Sequence, residues 1–377
     1  MVTAAVPLLA ATLTRDPFGV SIVTAATYAA WLVVGLPAGV LVDRWPRRLT
    51  MVLSDLTRAA LLGGLSVAVL AHDVSLPLLV VVVFLIGTAG CFFDPAAQAA
   101  IPNLVGRDQN QLAHANSRIW TLDMLGRSLI GPPLGAALFA AGTALPFGVN
   151  AATFVISALL LSGLRQLGSG EPAANRPTIA TSLVEGIFFL WTHPDLRALT
   201  VGMGTYNLAY NTAYATLVLY AQDRLHLDDR GFGLLLATMA VGGLLGAWAA
   251  PWCNRRLSLR AVYAAALGVQ ALGWLIVALV ATALTSGAGL ALIGLASMVV
   301  TVVGAAARQS LTPDRLLGRV SAGTRVVGVG TAALGALLGG AIASSASVQG
   351  AIAGAALICA AGALAYSIAA RRPDQQT

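Results

Sequence analysis

The chain has 377 residues, of which 58% are hydrophobic and only 10% are charged. Because soluble domains carry about 25% charged residues, this composition excludes a soluble fold and predicts an integral membrane protein with many spanning segments. The net charge of +7 comes from arginine alone, and the arginines lie in short clusters between apolar runs rather than on one face, so nucleic-acid binding is not expected.

Twelve apolar segments predict twelve spanning helices. The first, in residues 1–13, is shorter than the about 20 residues of a span, so we expect a helix truncated at its N-terminus, with roughly 10–25 further residues upstream in the complete protein. The stretch 107–117 is predicted to be a polar loop. The other predicted spans cover residues 20–42, 50–70, 76–91, 118–140, 147–164, 196–220, 231–252, 261–284, 290–307, 320–343 and 349–370.

A charged loop follows the second predicted span. Residues 39–48 read GVLVDRWPRR and contain Gly39, Asp43, Arg44, Arg47 and Arg48. A small residue allows two helices to approach, and the arginines stay outside the lipid. Such a loop can also serve only to fix the topology through its positive charge.

The distribution of arginine predicts the orientation. If the loop 39–48 is cytoplasmic, only Arg15, Arg224 and Arg230 fall outside, Arg127 lies within the membrane, and all other arginines, including Arg58, fall on the cytoplasmic side. Both chain termini are then expected to be cytoplasmic.

The longest polar stretch, residues 168–181, predicts a linker between two halves. We therefore predict an N-terminal bundle in residues 1–165, a cytoplasmic linker with an amphipathic surface helix in residues 166–194, and a C-terminal bundle in residues 195–377. The halves are similar, since PNLVGR precedes the fifth span and PDRLLGR the eleventh. The predicted fold is an all-α integral membrane protein of two pseudo-symmetric six-helix bundles, with a transport site between the repeats.

The fifth predicted span contains GPPLG, with Gly131, Pro132 and Gly135. A proline inside a helix removes a hydrogen bond and kinks the helix, and the glycines allow a neighbouring helix to approach closely.

Two ionisable residues lie deep in the same span. Arg127 is about 13 Å along the helix from Arg118, which is close to the middle of a hydrocarbon core about 30 Å thick. Asp123 precedes Arg127 by four residues, in the favourable order for an ion pair. Two interpretations stay open: the charges only neutralise each other, or Asp123 exchanges a proton while the substrate competes for the pair.

The seventh predicted span has a polar stripe along one face. It provides either polar contacts between helices or the wall of a transport cavity suited to an amphipathic aromatic substrate. The stripe contains Tyr206, Asn207, Tyr210, Asn211 and Tyr214.

The loop 39–48 resembles the signature Gly-x-x-x-Asp-Arg-x-Gly-Arg-Arg of the major facilitator superfamily, with Pro46 in place of the second glycine. GPPLG resembles the antiporter motif of the same superfamily, which occurs mainly in exporters, with Ala136 where a second glycine is usual. Further short motifs are similar to the branch of enterobactin and macrolide exporters; they are FFDPA at 92–96, PNLV at 102–105, AN at 115–116, LVLYAQ at 217–222 and GRV at 318–320.

The resemblance implies a secondary active exporter of a small organic molecule, such as a drug, macrolide or siderophore, that works by proton antiport with alternating access. It also implies a switch in which Asp43 bonds to the start of the eleventh span, near residues 318–321, and Arg47 or Arg48 pairs with Asp94. Solvated loop charges that each contribute little are the other interpretation.

Two further function classes remain as alternatives: a proton-coupled nutrient importer of the same fold, and a membrane enzyme or scramblase. The sequence has no catalytic constellation, and the absence of a phosphate-binding loop and of any lysine argues against ATP-driven transport. Its three cysteines form no CxxC or Cys/His cluster, so neither a disulfide framework nor a metal site is expected. We expect no cofactor; the expected partners are the substrate, protons and the lipid bilayer, with the chain acting as a monomer.

Overall fold

The structure, a computed structural model, describes residues 1–106, 108–164 and 179–371. Every regular element in these ranges is helical. The first eight α-helices are α1 (Val2–Leu13), α2 (Pro17–Val33), α3 (Gly35–Arg44), α4 (Arg47–Leu70), α5 (Leu76–Val105), α6 (Gln109–Asp123), α7 (Gly131–Ala141) and α8 (Leu145–Gly163). The others are α9 (Ile179–Thr192), α10 (Pro194–Tyr214), α11 (Leu217–Leu219), α12 (Asp229–Arg256), α13 (Leu259–Leu279), α14 (Ala283–Leu311), α15 (Asp314–Ser345) and α16 (Val348–Arg371). Two π-helical segments, Met124–Ile130 and Tyr220–Arg224, follow α6 and α11.

Nine segments of the described chain are long and apolar enough to cross a membrane. The predicted all-α membrane fold is confirmed, and the twelve-helix layout accommodates the other three spans as α1, α2 with α3, and α10. The helices α1 and α2 are apolar but shorter than the nine, and α10 carries the polar stripe of tyrosines and asparagines.

Several helices extend beyond their predicted spans, as α5 does to Val105, and at two further boundaries a capping side chain explains the difference. Residues 109–117 belong to α6 rather than to a loop, because the Asp108 carboxylate accepts a hydrogen bond from the Gln111 N–H at 3.0 Å and caps the helix; Arg107 lies outside the described residues. The ninth span ends at Leu279 and not at residue 284, because Thr282 accepts from the Thr285 N–H at 3.3 Å and starts α14. In both places a capping side chain sets the boundary, and average polarity does not.

The chain forms two compact units. Unit 1 comprises Met1–Thr14 and Ala26–Ile179, and unit 2 comprises Arg15–Ala25 and Ala180–Thr377. The division into residues 1–165, 166–194 and 195–377 stays a prediction, because residues 165–178 lie outside the described residues. The helix predicted in the linker corresponds to α9, whose Leu190 packs in unit 2 with Leu196 and Val320.

The short segment between α1 and α2 is held by unit 2. The Asp16 carboxylate accepts hydrogen bonds from the Ser344 hydroxyl at 2.9 Å and from the Gly19 N–H at 2.9 Å. These bonds, led by that of Ser344, lower the pKa of Asp16 below its usual value. Arg15 lies 3.3 Å from Asp223, the neighbour of Arg224. Two arginines predicted to lie outside the cell therefore occur at the same end of unit 2.

In unit 2, glycines bring α12 and α14 into main-chain contact. A Cβ atom on Gly242 would overlap the carbonyl of Ala291, and one on Gly294 would overlap that of Met239. Lipid provides no hydrophobic drive for two helices to associate, so close van der Waals contact between small residues holds such a pair together.

Gly242→Ala is expected to lower the melting temperature of the purified protein, because overpacking of this kind costs about 1–3 kcal/mol. The matched control is Gly268→Ala in α13, where a Cβ would meet nothing within 4 Å among the described atoms. That control is expected to leave the melting temperature unchanged or to raise it, since alanine is the better helix former by about 1 kcal/mol. Equal melting temperatures for the two variants would contradict the contact.

Candidate functional site

The most buried ion pair of the described residues lies in unit 1, on α4. The Asp55 side chain is 1% exposed and that of Arg58 is 12% exposed, and their nearest atoms, Oδ1 and Nη1, are 3.4 Å apart. The Ser157 hydroxyl of α8 donates to the second carboxylate oxygen, Oδ2, at 2.6 Å. Both oxygens of a carboxylate removed from water are therefore satisfied by the protein.

Aromatic rings cover the other side of this pair. The guanidinium carbon of Arg58 lies 5.0 Å from the centre of the Phe93 ring and 5.3 Å from that of Phe154. A cation over the face of an aromatic ring is attracted by its quadrupole, more strongly when water is excluded. We call Asp55, Arg58, Ser157 and the two rings the charge cluster.

The depth of the charge cluster corrects the predicted place of Arg58. Arg58 follows Arg47, the first residue of α4, by eleven positions, or about 16 Å along the helix axis. This is close to the middle of a hydrocarbon core about 30 Å thick, so Arg58 does not belong to the cytoplasmic arginines. The signal that could have found the cluster is the spacing of Asp55 and Arg58, which puts an acid and a base on one helix face within an apolar segment.

Two predicted site residues act on the charge cluster electrostatically. The carboxylate of Asp94, on α5, attracts Arg58, and the positive charge of Arg127 repels it. The structure thus brings a switch residue and a cavity residue of the sequence prediction into the electrostatic neighbourhood of a group that the prediction missed.

Asp123 and Arg127 form the ion pair that their spacing suggests. Arg127 Nε donates to Asp123 Oδ1 at 2.9 Å. Asp123 is the last residue of α6, and Arg127 lies in the π-helical segment that follows it. Their side chains are 46% and 70% exposed, respectively. This pair is therefore exposed at the surface of unit 1, whereas the charge cluster is buried.

The loop between α3 and α4 places its arginines on main-chain oxygens. Arg47 donates to the carbonyl of Ala99 at 2.8 Å, and Arg48 donates to that of Ser162. Arg44, the last residue of α3, is exposed. The side chain of Asp43 lies outside the described residues. The pairing of Arg47 or Arg48 with Asp94 stays a prediction.

Two residues of this loop have structural roles that sequence reasoning missed or misjudged. The Trp45 ring stacks on that of Phe92 with 5.7 Å between ring centres and 10° between planes. Pro46 precedes α4 with φ of −59°, the value its ring favours, so the proline fits where the resembled motif has glycine.

A Cβ on Gly39 would meet nothing within 4 Å in the described part of the chain, so the expected helix contact at Gly39 is not found there.

The GPPLG motif packs against the start of α1. Gly131, Pro132 and Gly135 are buried, and a Cβ on Gly135 would overlap the main chain of Met1. The glycines thus allow the close approach that was expected. Pro132 lies inside the continuous helical span His114–Ala141, where α7 follows directly on the π-helical segment. The irregularity of this span is that π-helical segment.

The polar stripe of α10 is divided between buried and half-buried residues. Tyr206 is buried, and its hydroxyl donates to the carbonyl of Ile293 on α14 at 2.9 Å. Asn211 is also buried and donates to the carbonyl of Asn207, one turn earlier, at 3.0 Å. Tyr206 is thus a polar contact between helices, and the cavity-wall role of Tyr206 and Asn211 stays a prediction.

The rest of the stripe is half-buried. Tyr210 and Tyr214 stack with 5.1 Å between ring centres, and Asn207 donates to the carbonyl of Met203 at 2.9 Å. Each step of four residues turns about 40° around a helix of 3.6 residues per turn, so Tyr206 and Tyr214 point about 80° apart. This drift separates residues that the spacing places on one stripe.

Among the residues that the structure describes, no group of three His, Cys, Asp or Glu side chains is placed to hold a metal ion.

Comparisons with known proteins agree with this architecture. The family model of the Major Facilitator Superfamily matches residues 1–327. The multidrug efflux pump Tap of Mycolicibacterium fortuitum is 30% identical over 339 residues, which cover 87% of this chain and 81% of that protein. The enterobactin exporter EntS of Citrobacter koseri is 29% identical over 349 residues, covering 89% and 80%.

A solved structure shares the fold at low identity. The nucleoside transporter NupG superposes with a TM-score of 0.75 at 14% identity, covering 99% of this chain and 95% of that one. The family match, together with the helical membrane architecture, establishes that this chain belongs to the Major Facilitator Superfamily.

Proposed function

We propose that this chain is a secondary active transporter that exports a small organic molecule from the cytoplasm in exchange for protons. The observation that carries the proposal is the similarity over most of the chain to two proteins named as exporters, Tap and EntS. The accessible Asp123–Arg127 pair supports the proton coupling, and the buried GPPLG motif is similar to that of antiporters.

The two charged sites suit different tasks. Asp55 is held by Arg58 and Ser157 away from water, so it serves to fix α4 against α8. Asp123 has an accessible carboxylate whose charge is balanced by Arg127 alone among its described partners. The substrate and the proton compete for the Asp123–Arg127 pair, so a proton taken up by Asp123 on one side releases the substrate there, and loss of that proton on the other side allows the next substrate molecule to bind.

The remaining predicted residues have supporting roles in this proposal. The half-buried Asn207, Tyr210 and Tyr214 contact the substrate. Gly39, Asp43, Arg44, Arg47 and Arg48 stabilise one conformer from the cytoplasmic side, where both chain termini also lie. The transporter functions as a monomer in the bacterial cell membrane.

Transport into inverted membrane vesicles tests the function. Vesicles containing the chain are expected to accumulate a radiolabelled macrolide or enterobactin when their interior is acidified, and to stop when an ionophore collapses the pH gradient. Uptake only into right-side-out vesicles would identify an importer. Gradient-independent movement of a fluorescent phospholipid between leaflets, without macrolide or enterobactin transport, would identify a scramblase.

Asp43→Asn is expected to reduce transport severalfold with normal expression and topology, because it removes a charge that stabilises one conformer and leaves the arginines that set the topology. Initial rates in inverted vesicles, divided by the amount of protein, measure the effect. Asp73→Asn, in the exposed turn after α4, is the matched control and is expected to transport normally. Wild-type rates in Asp43→Asn would reduce the loop to a topology signal.

A further inference from the structure

A groove of unit 2 is separate from the charge cluster, the Asp123–Arg127 pair and the polar stripe of α10. It has a volume of about 510 Å³ and is formed by the first turns of α10 and α13 and the last turns of α16. Arg197 and Val201 of α10, Arg260 of α13, and Tyr366 and Ile368 of α16 line it. These helix ends lie on the side that the arginine distribution predicts to be cytoplasmic.

The mouth of the groove has a net positive charge. Arg197 is exposed, and Arg260 is 27% exposed. Arg260 Nη2 lies 3.7 Å from Asp195 Oδ1, and its Nη1 donates to the carbonyl of Ala369 at 3.4 Å. The distance to Asp195 is long for a charge-assisted hydrogen bond, and Asp195 offsets only one of the two arginines. Arg197 and Arg260 line the same groove, so its mouth offers two guanidinium groups to an anion.

The groove continues along apolar side chains. Val201 lies one turn beyond Arg197 on α10 and is 42% exposed, and Ile368 faces the groove from α16 and is 50% exposed. Both helices lead from the charged mouth into the membrane-spanning part of unit 2. The Tyr366 hydroxyl donates to the carbonyl of Ala198, which joins α16 to α10 at the bottom of the groove.

We propose that this groove binds an anionic phospholipid, with the phosphate of the headgroup between Arg197 and Arg260 and an acyl chain along Val201 and Ile368. Basic pockets between membrane helices on the cytoplasmic side suit anionic headgroups. A soluble phosphate could use the two arginines but would leave the apolar wall without a partner. The lipid is a structural ligand of unit 2, and its binding does not depend on the transported substrate.

Native mass spectrometry of the full-length protein tests this site. Phosphatidylglycerol and phosphatidylcholine with identical acyl chains are titrated into separate samples of the protein. The affinity of the first lipid molecule to bind is measured for each. Phosphatidylglycerol is expected to bind more tightly than phosphatidylcholine. R197Q and R260Q are each expected to weaken that preference about fivefold. One arginine near an anionic membrane surface contributes about 1 kcal/mol, which corresponds to about a fivefold change in affinity. R255Q/R256Q, at the exposed end of α12, is the matched control and is expected to bind as the wild type does.

Three outcomes would overturn the proposal. The variants R197Q and R260Q could retain the full preference for phosphatidylglycerol. The control R255Q/R256Q could lose as much as they do, which would indicate only a general attraction to positive charge. Inorganic phosphate at millimolar concentration could displace the bound lipid completely, which would indicate a site for a free anion. R197Q alone decides the first outcome if R260Q does not fold, because the Arg197 side chain is exposed.

Discussion

Arg58→Gln is expected to destabilise unit 1 by about 3–5 kcal/mol and to abolish transport, because it leaves the buried Asp55 carboxylate without its cation. Asp55 would keep only the hydrogen bond from Ser157, and the Phe93 and Phe154 rings would lose the charge that they cover. The melting temperature in detergent, measured beside the transport rate in inverted vesicles, shows both effects.

Two control variants distinguish the effect of breaking the Asp55–Arg58 pair from the effect of removing any one arginine. Arg255→Gln, at the exposed end of α12, is expected to leave stability and transport unchanged. The double variant Asp55→Asn/Arg58→Gln removes both charges and is expected to recover most of the lost stability. If Arg58→Gln melts at the wild-type temperature, the pair contributes nothing to the fold and the burial argument is wrong.

Asp123→Asn is expected to make export independent of the pH gradient while substrate binding survives. Asparagine keeps the size and polarity of the side chain but cannot take up a proton, so substrate movement and proton movement are no longer linked. Accumulation of the labelled substrate with an acid vesicle interior should fall to the value measured after the gradient is collapsed. Equilibrium binding to the purified protein measures the part that survives.

The control for this variant is Asp108→Asn, the same substitution at the other end of α6. Asp108 caps the helix, and asparagine caps equally well, so gradient-driven export should be retained. Gradient-driven export at the wild-type rate in Asp123→Asn would assign the coupling carboxylate to another residue. Asp94, which acts on Arg58 from α5, would then be the next carboxylate to replace.

Hydrophobic segments predicted the membrane fold well, because a span must be apolar over about 20 residues whatever its neighbours are. Hydrophobic segments gave the wrong helix boundary where a single capping side chain sets the end of the helix. Asp108 extends a helix into a polar stretch, and Thr282 moves a boundary within an apolar one. Such caps contribute about 1 kcal/mol each and do not change the average hydropathy of a segment.

The candidate site was predictable only in part. The sequence spacing of Asp123 and Arg127 sufficed to anticipate their pair, because four residues on a helix are always neighbours. It could not show that Tyr206 turns towards α14, since the direction of a side chain around a helix matters only once the neighbouring helices are placed. The sequence also could not predict the partner of Asp55 on α8, because Ser157 is 102 residues away along the chain.

This last distance has a consequence for the synthesis of the protein. At about 5–20 residues per second, Ser157 leaves the ribosome roughly 5–20 s after Asp55. During that interval α4 must enter the bilayer with two charges, each costing about 2.5–3.5 kcal/mol at the centre of a helix, and with only each other to offset that cost within α4. The Asp55 carboxylate therefore lacks its hydrogen bond from Ser157 throughout that interval, and this link between the third spanning segment and α8 forms only after α8 has been made.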